Sequence, residues 1–515
     1  MTTRSSASGG LLFVACAFLL IACIALGGGT RQALPAEALL QIFALPFLLL
    51  GLFGRGSREF DGRAWLCATW FAAVAVVLLV QLIPLPPLLW SSLAGRQVLA
   101  DELELAGVAV GWRPLSLDPR ATLRALLAML APAAVFLLAS KLDLRHRVLL
   151  LKLVLLLAVA SVALGFAQLA GGPNSPLRWH DVTSATNAVG PFANRNHLAS
   201  LLAVCLPLSA AWLIAALRQR RQDLRAALMV AAGALLVLLI IGLAVTRSRA
   251  GVVLGAAAFV GVAVMVWLHR QRIEPGKTRP LQIRRWLLLA FAVGVVVSMQ
   301  YGLLDLWGRL RSDPFEDRRW HIAATTIDAI GTFGALGTGA GTFVTVYPSV
   351  EPENERGEYY VNRAHNDWLE WTLEGGWPLV AVILLGVVLI SRLALEAIRS
   401  ESPRAQWQSA AAIGLALLAL HSALDYPLRT TAMAAIAALL VACLMPGEGS
   451  EARDSRRNRK RRSQASATGR TPTGRLASEA TSDHGPAASA VGPLSNLDEN
   501  DPWYPSHLKR QPNSQ

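Results

Sequence analysis

The chain has 515 residues, of which 54% are hydrophobic and only 16% charged. A soluble domain carries about 25% charged residues, so this shortage and the repeated apolar runs of membrane-spanning length exclude an ordinary soluble globule. The runs are continuous instead of alternating, which predicts an all-α polytopic membrane protein and not a barrel. The net charge of +14 does not point to nucleic acid, because the arginines sit mostly in short connections and in one tail.

The first apolar run, at about 11–26, follows Arg4 and has the outline of a signal peptide. A second run begins within a few residues of Gly27-Gly28, so an uncleaved first helix is expected. Further spans are predicted at about 35–53, 64–90, 122–140, 148–169, 197–217, 226–245, 250–268, 286–302, 377–395, 408–426 and 428–446. That makes about 12 transmembrane helices. Every second connection is basic: Arg55, Arg58 and Arg63, then Lys141, Arg145 and Arg147, then Arg218 to Arg225, then Arg270 to Arg285, then Arg392 to Arg404. The positive-inside rule puts these connections and both termini in the cytoplasm.

The outward connections are the long ones, at about 91–120, 170–195 and 303–376. The largest lies between helices 9 and 10, and long loops are usually functional or disordered. Within it, Arg318 to Ile330 reads as an amphipathic segment with Trp320, Ile322, Ile327 and Ile330 among polar residues, expected to lie on the membrane or roof a cavity. The five cysteines, Cys16, Cys23, Cys67, Cys205 and Cys443, all fall in apolar runs and read as small core residues. Residues 447–515 are expected to be a disordered cytoplasmic tail. Its basic cluster, Arg456 to Arg462, suits a topological anchor or anionic lipid headgroups.

Polar constellations gather on the outward side. Asn194-Arg195-Asn196-His197 opens a span; Asn194 or Asn196 suits an N-cap, while Arg195 and His197 offer donors to a phosphate or sugar at the positive end of a helix. Thr246-Arg247-Ser248-Arg249-Ala250-Gly251 links two apolar spans and places two arginines on the side that the positive-inside rule disfavours. They either snorkel to headgroups or grip phosphate oxygens. Arg318-Arg319-Trp320 precedes a glycine run from Gly334 to Gly341. No strand is predicted before that run, so close backbone packing explains it better than a dinucleotide loop.

The densest cluster is Asn362-Arg363-Ala364-His365-Asn366-Asp367-Trp368-Leu369-Glu370, continuing to Glu374-Gly375-Gly376-Trp377-Pro378. Ionisable groups beside a span are rarely without use. A neighbouring carboxylate such as Asp367 would orient the His365 imidazole as a base. A weaker patch, His421 to Arg429, contains Asp425 and Arg429, which either support the site or pair with each other.

In this order, the Asn194 to His197 helix start, the Ser248 to Gly251 hairpin, the Arg-Trp and glycine loop, the His365-Asn366 stretch and the His421-x-x-x-Asp425 hairpin resemble the O-antigen ligase/polymerase (Wzy-C) superfamily, over roughly residues 180–430. The resemblance implies a GT-C-type glycosyltransferase of the bacterial inner membrane, with its site facing the periplasm. It divides the chain into N-terminal helices at 1–180, a ligase-like core at 181–446 and the tail. The implied donor is a glycan on undecaprenyl diphosphate. The implied acceptor is a glycan or lipid A core hydroxyl for a ligase, or another repeat unit for a polymerase; membrane lipids are partners and nucleic acid is not.

Chemistry assigns His365 as catalytic base and Arg247, Arg249 and Arg319 as the diphosphate-binding charge. Asn194, Arg195, His197, Arg363, Asn366, Asp367, Glu374 and Asp425 are expected to bind substrate or support the site. No Asp-x-Asp pair occurs in the outward loops, so neither metal nor cofactor is expected. A secondary transporter is the competing class, but no internal repeat is visible.

Overall fold

The computed structural model describes residues 2–31, 35–56, 60–180, 185–269, 314–357, 360–400, 402 and 404–446. Its elements are α1 (Thr2–Leu26), α2 (Pro35–Phe53), α3 (Gly62–Val80), β1 (Pro84–Leu85), α4 (Pro87–Ser91), α5 (Gln97–Leu105), β2 (Arg113–Pro114), α6 (Pro119–Ala128), α7 (Leu130–Ser140), α8 (Leu144–Ala170), α9 (Arg195–Leu217), α10 (Gln222–Val245) and α11 (Arg249–His269). After the undescribed stretch come α12 (Pro314–Phe333), α13 (Phe343–Val350), α14 (Asp367–Arg399), α15 (Ala405–Ser422) and α16 (Thr431–Leu444).

The protein is an all-α polytopic membrane protein. Among the described residues, nine helices are long and apolar enough to cross a membrane. The expected span at 286–302 and the tail at 447–515 lie outside the described residues; the other expected spans coincide with helices. Two boundaries differ from expectation. The run at 64–90 is helical only to Val80, because the prolines at 84, 86 and 87 cannot continue a helix. The chain turns instead into β1, which pairs antiparallel with β2 through Pro84 opposite Pro114 and Leu85 opposite Arg113. The helix expected from 377 is preceded, across a break at Gly376, by a helical segment that starts at Asp367.

Helix starts follow capping chemistry. Asp61, Asp118, Asp143, Asn194, Asn366 and Thr430 each accept a backbone N–H from the first turn of α3, α6, α8, α9, α14 and α16. Around the turn between α7 and α8, two residues expected only as topological charges satisfy helix C-termini. Arg147 is fully buried and donates to the carbonyls of Ala139, Ser140, Leu142, Ala442 and Met445. Lys141 Nζ donates to Leu52 and Gly54. Cations at carbonyl-rich helix ends complement the helix dipole.

The core is centred on α9, whose residues from Asn196 on are almost all buried and which packs against α8, α10, α11 and α15. All five cysteines are free and buried within apolar packing. A second, smaller core joins Ile322, Phe333, Phe343, Tyr347, Val361 and Leu373. Within α12, Ile322 and Ile330 pack into this core, while Trp320 and Ile327 are 80% and 55% exposed.

The glycine run joins this smaller core to α14. Pro378 has no N–H to give the carbonyl of Glu374, and Gly376 takes a left-handed φ of 58°, breaking the helix there. The released carbonyls are satisfied from the loop: Thr338 N–H reaches Leu373 at 3.0 Å and Gly339 N–H reaches Glu374 at 2.8 Å. Gln81 ties in a third strand of chain, donating to the Glu374 carbonyl and accepting from Ala340 N–H. Arg96, buried between the Trp90 and Phe333 rings, donates to the Leu115 and Gly337 carbonyls. The close packing expected of these glycines is present.

A Cβ on Gly376 would stand 2.2 Å from the Ala335 carbonyl oxygen. The left-handed conformation alone costs a non-glycine residue about 1–2 kcal/mol. Gly376→Ala is therefore expected to lower stability by more than about 2 kcal/mol. Thermal unfolding in detergent checks this, and an unchanged midpoint would refute the packing argument.

Candidate active site

Four segments distant in sequence converge at one end of α9. The N-cap of α9, the α10–α11 hairpin, the start of α14 and the α15–α16 connection are joined by side-chain hydrogen bonds. Asp425 is the hub. Its Oδ1 lies 3.1 Å from His365 Nδ1, and its Oδ2 accepts from the amides of Asn194 and Asn196. The Asn196 carbonyl oxygen in turn accepts from Ser248 Oγ at 2.7 Å, and Ser248 Oγ accepts the Gly251 N–H. The two readings of Asn194 therefore coexist: it caps α9 through Asn196 N–H and also touches Asp425.

His365 has a φ of 51°, in the left-handed region that only a few per cent of non-glycine residues adopt, histidine more readily than most. Such strain persists only where surrounding contacts impose it, and it clusters at functional sites. Here the contacts are Asp425 and the Tyr426 ring, 5.1 Å away between centroids. The His365 side chain stays 23% exposed while Asp425 is fully buried. The partner expected to orient His365 was Asp367; the structure assigns that contact to Asp425, sixty residues further on.

The electrostatics favour an ionised Asp425. Burial would raise its carboxyl, but the hydrogen bond and charge of His365, followed by the charge of Arg319, hold it well below the usual carboxylate range. An ionised carboxylate only accepts hydrogen bonds, so His365 donates from Nδ1, and Nε2 is the ring nitrogen not engaged by Asp425. Tyr426 is pushed the opposite way, by burial and then by the adjacent Asp425 charge, and remains a neutral phenol.

Asp367, Glu370 and Glu374, at i, i+3 and i+7, share one face of α14 and are all fully buried. They face Arg429 rather than solvent. Its guanidinium lies 2.8 Å from Glu374, 3.4 Å from Glu370 and 3.5 Å from Asp367. Arg363 pairs with Glu370 at 2.9 Å, and Glu370 also accepts Ala364 N–H. Asp367 further accepts from Ser422 Oγ, and Glu374 from Phe343 N–H. Of the two alternatives for Asp425 and Arg429, pairing with each other is not the one seen: Arg429 faces these three carboxylates, which outweigh burial and hold its guanidinium firmly charged.

The other residues singled out in the sequence are spread around this hub. Arg319 sits on α12, close enough for its charge to act on Asp425 and His421. Arg247 lies exposed at the hairpin tip with a φ of 51°, and Arg249 is half-buried at the start of α11. Both flank Ser248, which anchors the hairpin to Asn196. Arg195 is half-buried in the first turn of α9. Asn366 caps α14 and donates to the Ala423 carbonyl.

His197, expected as a donor to substrate, is instead fully buried behind Tyr426 and Phe192, a wall residue. His421, in the same layer, hydrogen-bonds Ser200. Tyr426, Ser248 and Glu370 carry roles that the sequence reading did not assign. The i, i+3, i+7 carboxylates were the available signal for Glu370.

On the other side of Arg363, a cavity of about 760 Å³ opens among α2, α3, α6, α7, α14, α15 and α16. Arg363 and Arg429 line it; His365 does not.

Compared with known proteins, residues 234–384 match the model of a family described as O-Antigen ligase, Wzy_C. No curated protein matches the chain. The matched stretch holds the α10–α11 hairpin, Arg319, His365 and the three carboxylates of α14, while Asn194, Asn196, Asp425 and Arg429 lie outside it. The chain is a multi-pass membrane protein in which residues 234–384 are similar to the O-antigen ligase (Wzy_C) family.

Proposed function

We propose that the protein is a periplasm-facing glycosyltransferase of the inner membrane, moving a glycan from undecaprenyl diphosphate to an acceptor hydroxyl without a metal ion. The observation that carries this reading is the His365–Asp425 pair, in which the carboxylate takes the Nδ1 hydrogen bond and orients Nε2 toward the acceptor. His365 Nε2 takes the hydroxyl proton while the acceptor oxygen attacks the anomeric carbon. The bond from that carbon to the diphosphate oxygen breaks, and the diphosphate departs with the electron pair. Its growing charge is met by Arg247, Arg249 and Arg319, which need no reorganisation at that moment. Direct displacement inverts the anomeric centre, a step that rests on the family resemblance. Both termini, including the tail, then face the cytoplasm.

The test is transfer by purified protein in nanodiscs, given an undecaprenyl-diphosphate-linked glycan and either a lipid A core acceptor or a second lipid-linked repeat unit. Product on the first acceptor defines a ligase, and lengthened glycan on the second defines a polymerase. Absence of transfer to either would overturn the reading. Arg249→Lys is expected to lose most of the activity, because a lysine cannot make the bidentate phosphate contact of a guanidinium; wild-type transfer by this variant would remove Arg249 from the diphosphate site.

A further inference from the structure

We propose that Asn196 is a positioning residue: its two-ended amide sets the separation between the His365–Asp425 pair and the hairpin that carries Arg247 and Arg249. The proposal rests on the glycan-transfer reading, in which the base and the leaving-group charge act on one anomeric carbon from separate stretches of chain.

The base belongs to the start of α14 and the α15–α16 connection, and the arginines to the α10–α11 hairpin. Asn196 stands between them. Its amide nitrogen donates to Asp425 Oδ2, and its amide oxygen accepts from Ser248 Oγ at 2.7 Å. All three side chains are buried. The direction of these bonds is fixed. Ser248 Oγ already accepts the Gly251 N–H at 2.9 Å, which leaves its own hydrogen to donate. A flipped Asn196 amide would set its oxygen against the Asp425 carboxylate, two acceptors with no proton between them.

Each end of the amide controls one soft degree of freedom. A carboxylate turns easily about its last bond, because that torsion has broad minima. Asp425 Oδ1 faces His365 only while Oδ2 is held, and Asn196 makes the shorter of the two contacts there, with Asn194 at 3.4 Å. On the other side, Ser248 lies between Arg249 and Arg247, whose φ is 51°, so holding the serine hydroxyl holds the hairpin tip.

The backbone of Asn196 is a fixed point for both. Asn194 accepts its N–H, Ser200 Oγ donates to its carbonyl at 3.1 Å, and the rest of α9 is the buried centre of the bundle. Contact between α9 and α11 alone does not call for this polar trio, since apolar side chains of the same shape can replace a buried hydrogen-bonded pair at little cost. An amide is the side chain that offers a donor to a carboxylate and an acceptor to a hydroxyl at once.

The experiment uses full-length protein in nanodiscs and reads the two ends separately. Diethyl pyrocarbonate labelling, mapped by peptide mass spectrometry, reports the His365 imidazole, with His321, exposed on α12, as internal reference. Hydrogen exchange of the 246–251 segment reports the hairpin. Kinetics with an undecaprenyl-diphosphate-linked donor supply kcat and donor KM. Ser248→Ala cuts the hairpin end only: exchange quickens and donor KM rises, while His365 is labelled as in wild type. Asn196→Leu, which keeps the branched shape without its polar atoms, cuts both ends. Hairpin exchange and His365 labelling then rise together, and kcat falls about tenfold or more. Adding Ser248→Ala to Asn196→Leu should quicken hairpin exchange no further, because the serine acts through the asparagine.

Thermal unfolding reports whether each variant is folded, and Asn196→Ala repeats the test if the leucine variant is not. Labelling and exchange need no substrate, so they separate failure of this proposal from failure of the glycan-transfer reading. A folded Asn196 variant that leaves either end at its wild-type value, or a folded Ser248→Ala with wild-type hairpin exchange, overturns the proposal.

Discussion

Replacing His365 with alanine lowers glycan transfer by about 10²–10⁴-fold, the range associated with loss of a positioned general base. His365→Ala also removes a hydrogen bond to the fully buried Asp425, so thermal unfolding is measured alongside the rate to separate lost catalysis from lost stability. Asp425→Asn retains the shape of the hub and loses the charge. A hydrogen bond to a charged group contributes about 1.5–3 kcal/mol, equivalent to about 10- to 150-fold in rate. The order of the two effects is the discriminating result: a larger loss in Asp425→Asn than in His365→Ala would make Asp425, not His365, the group that handles the proton.

The pH dependence has a definite sign. A carboxyl depressed in the folded state contributes stability above its unfolded value, about 3.9, and loses it as pH falls through the lower folded value. Asp425 is such a group. An acid limb in the rate profile above pH about 4 therefore arises elsewhere, and should persist in Asp425→Asn.

The largest expected effect on stability comes from Arg429→Met. Arg429 is mostly buried and neutralises carboxylates that are fully buried. Removing one partner of a buried ionic group costs about 3–5 kcal/mol, because the remaining charge has neither water nor a counter-ion. The measurement is thermal unfolding and membrane yield, with Glu370→Gln in the same background expected to recover part of the loss. Restoration would identify unpaired charge, and not lost packing, as the cause. An undiminished unfolding midpoint in Arg429→Met would show that the cluster does not need its guanidinium.

Much of this was legible in the sequence. Continuous apolar runs gave the helices, since lipid permits little else, and capping residues marked where several begin. The importance of His365, the hairpin around Ser248 and the α9 start was also legible, because polar groups next to spans stand out. What the sequence hid was pairing at long range. Asp367, two residues from His365, was the natural orienting carboxylate, yet the helix that begins there turns it to Arg429, while Asp425 reaches His365 from the next hairpin. Likewise His197 reads as a ligand-facing imidazole until Tyr426 is seen to cover it. Helical periodicity would have exposed the Asp367, Glu370 and Glu374 face had α14 been started at its N-cap and not at Trp377.

The Gln81 amide, far upstream, binds the Glu374 carbonyl that the α14 break releases, and Arg96 clasps the neighbouring glycine loop through the Gly337 carbonyl. The stretch recognisable by likeness, 234–384, is consequently not an autonomous folding module. Expressed alone it would lack the acid that steers its histidine, the guanidinium that quiets its carboxylates and the glutamine that sutures its hinge. Swapping this segment between relatives would therefore require carrying those distant helices along with it.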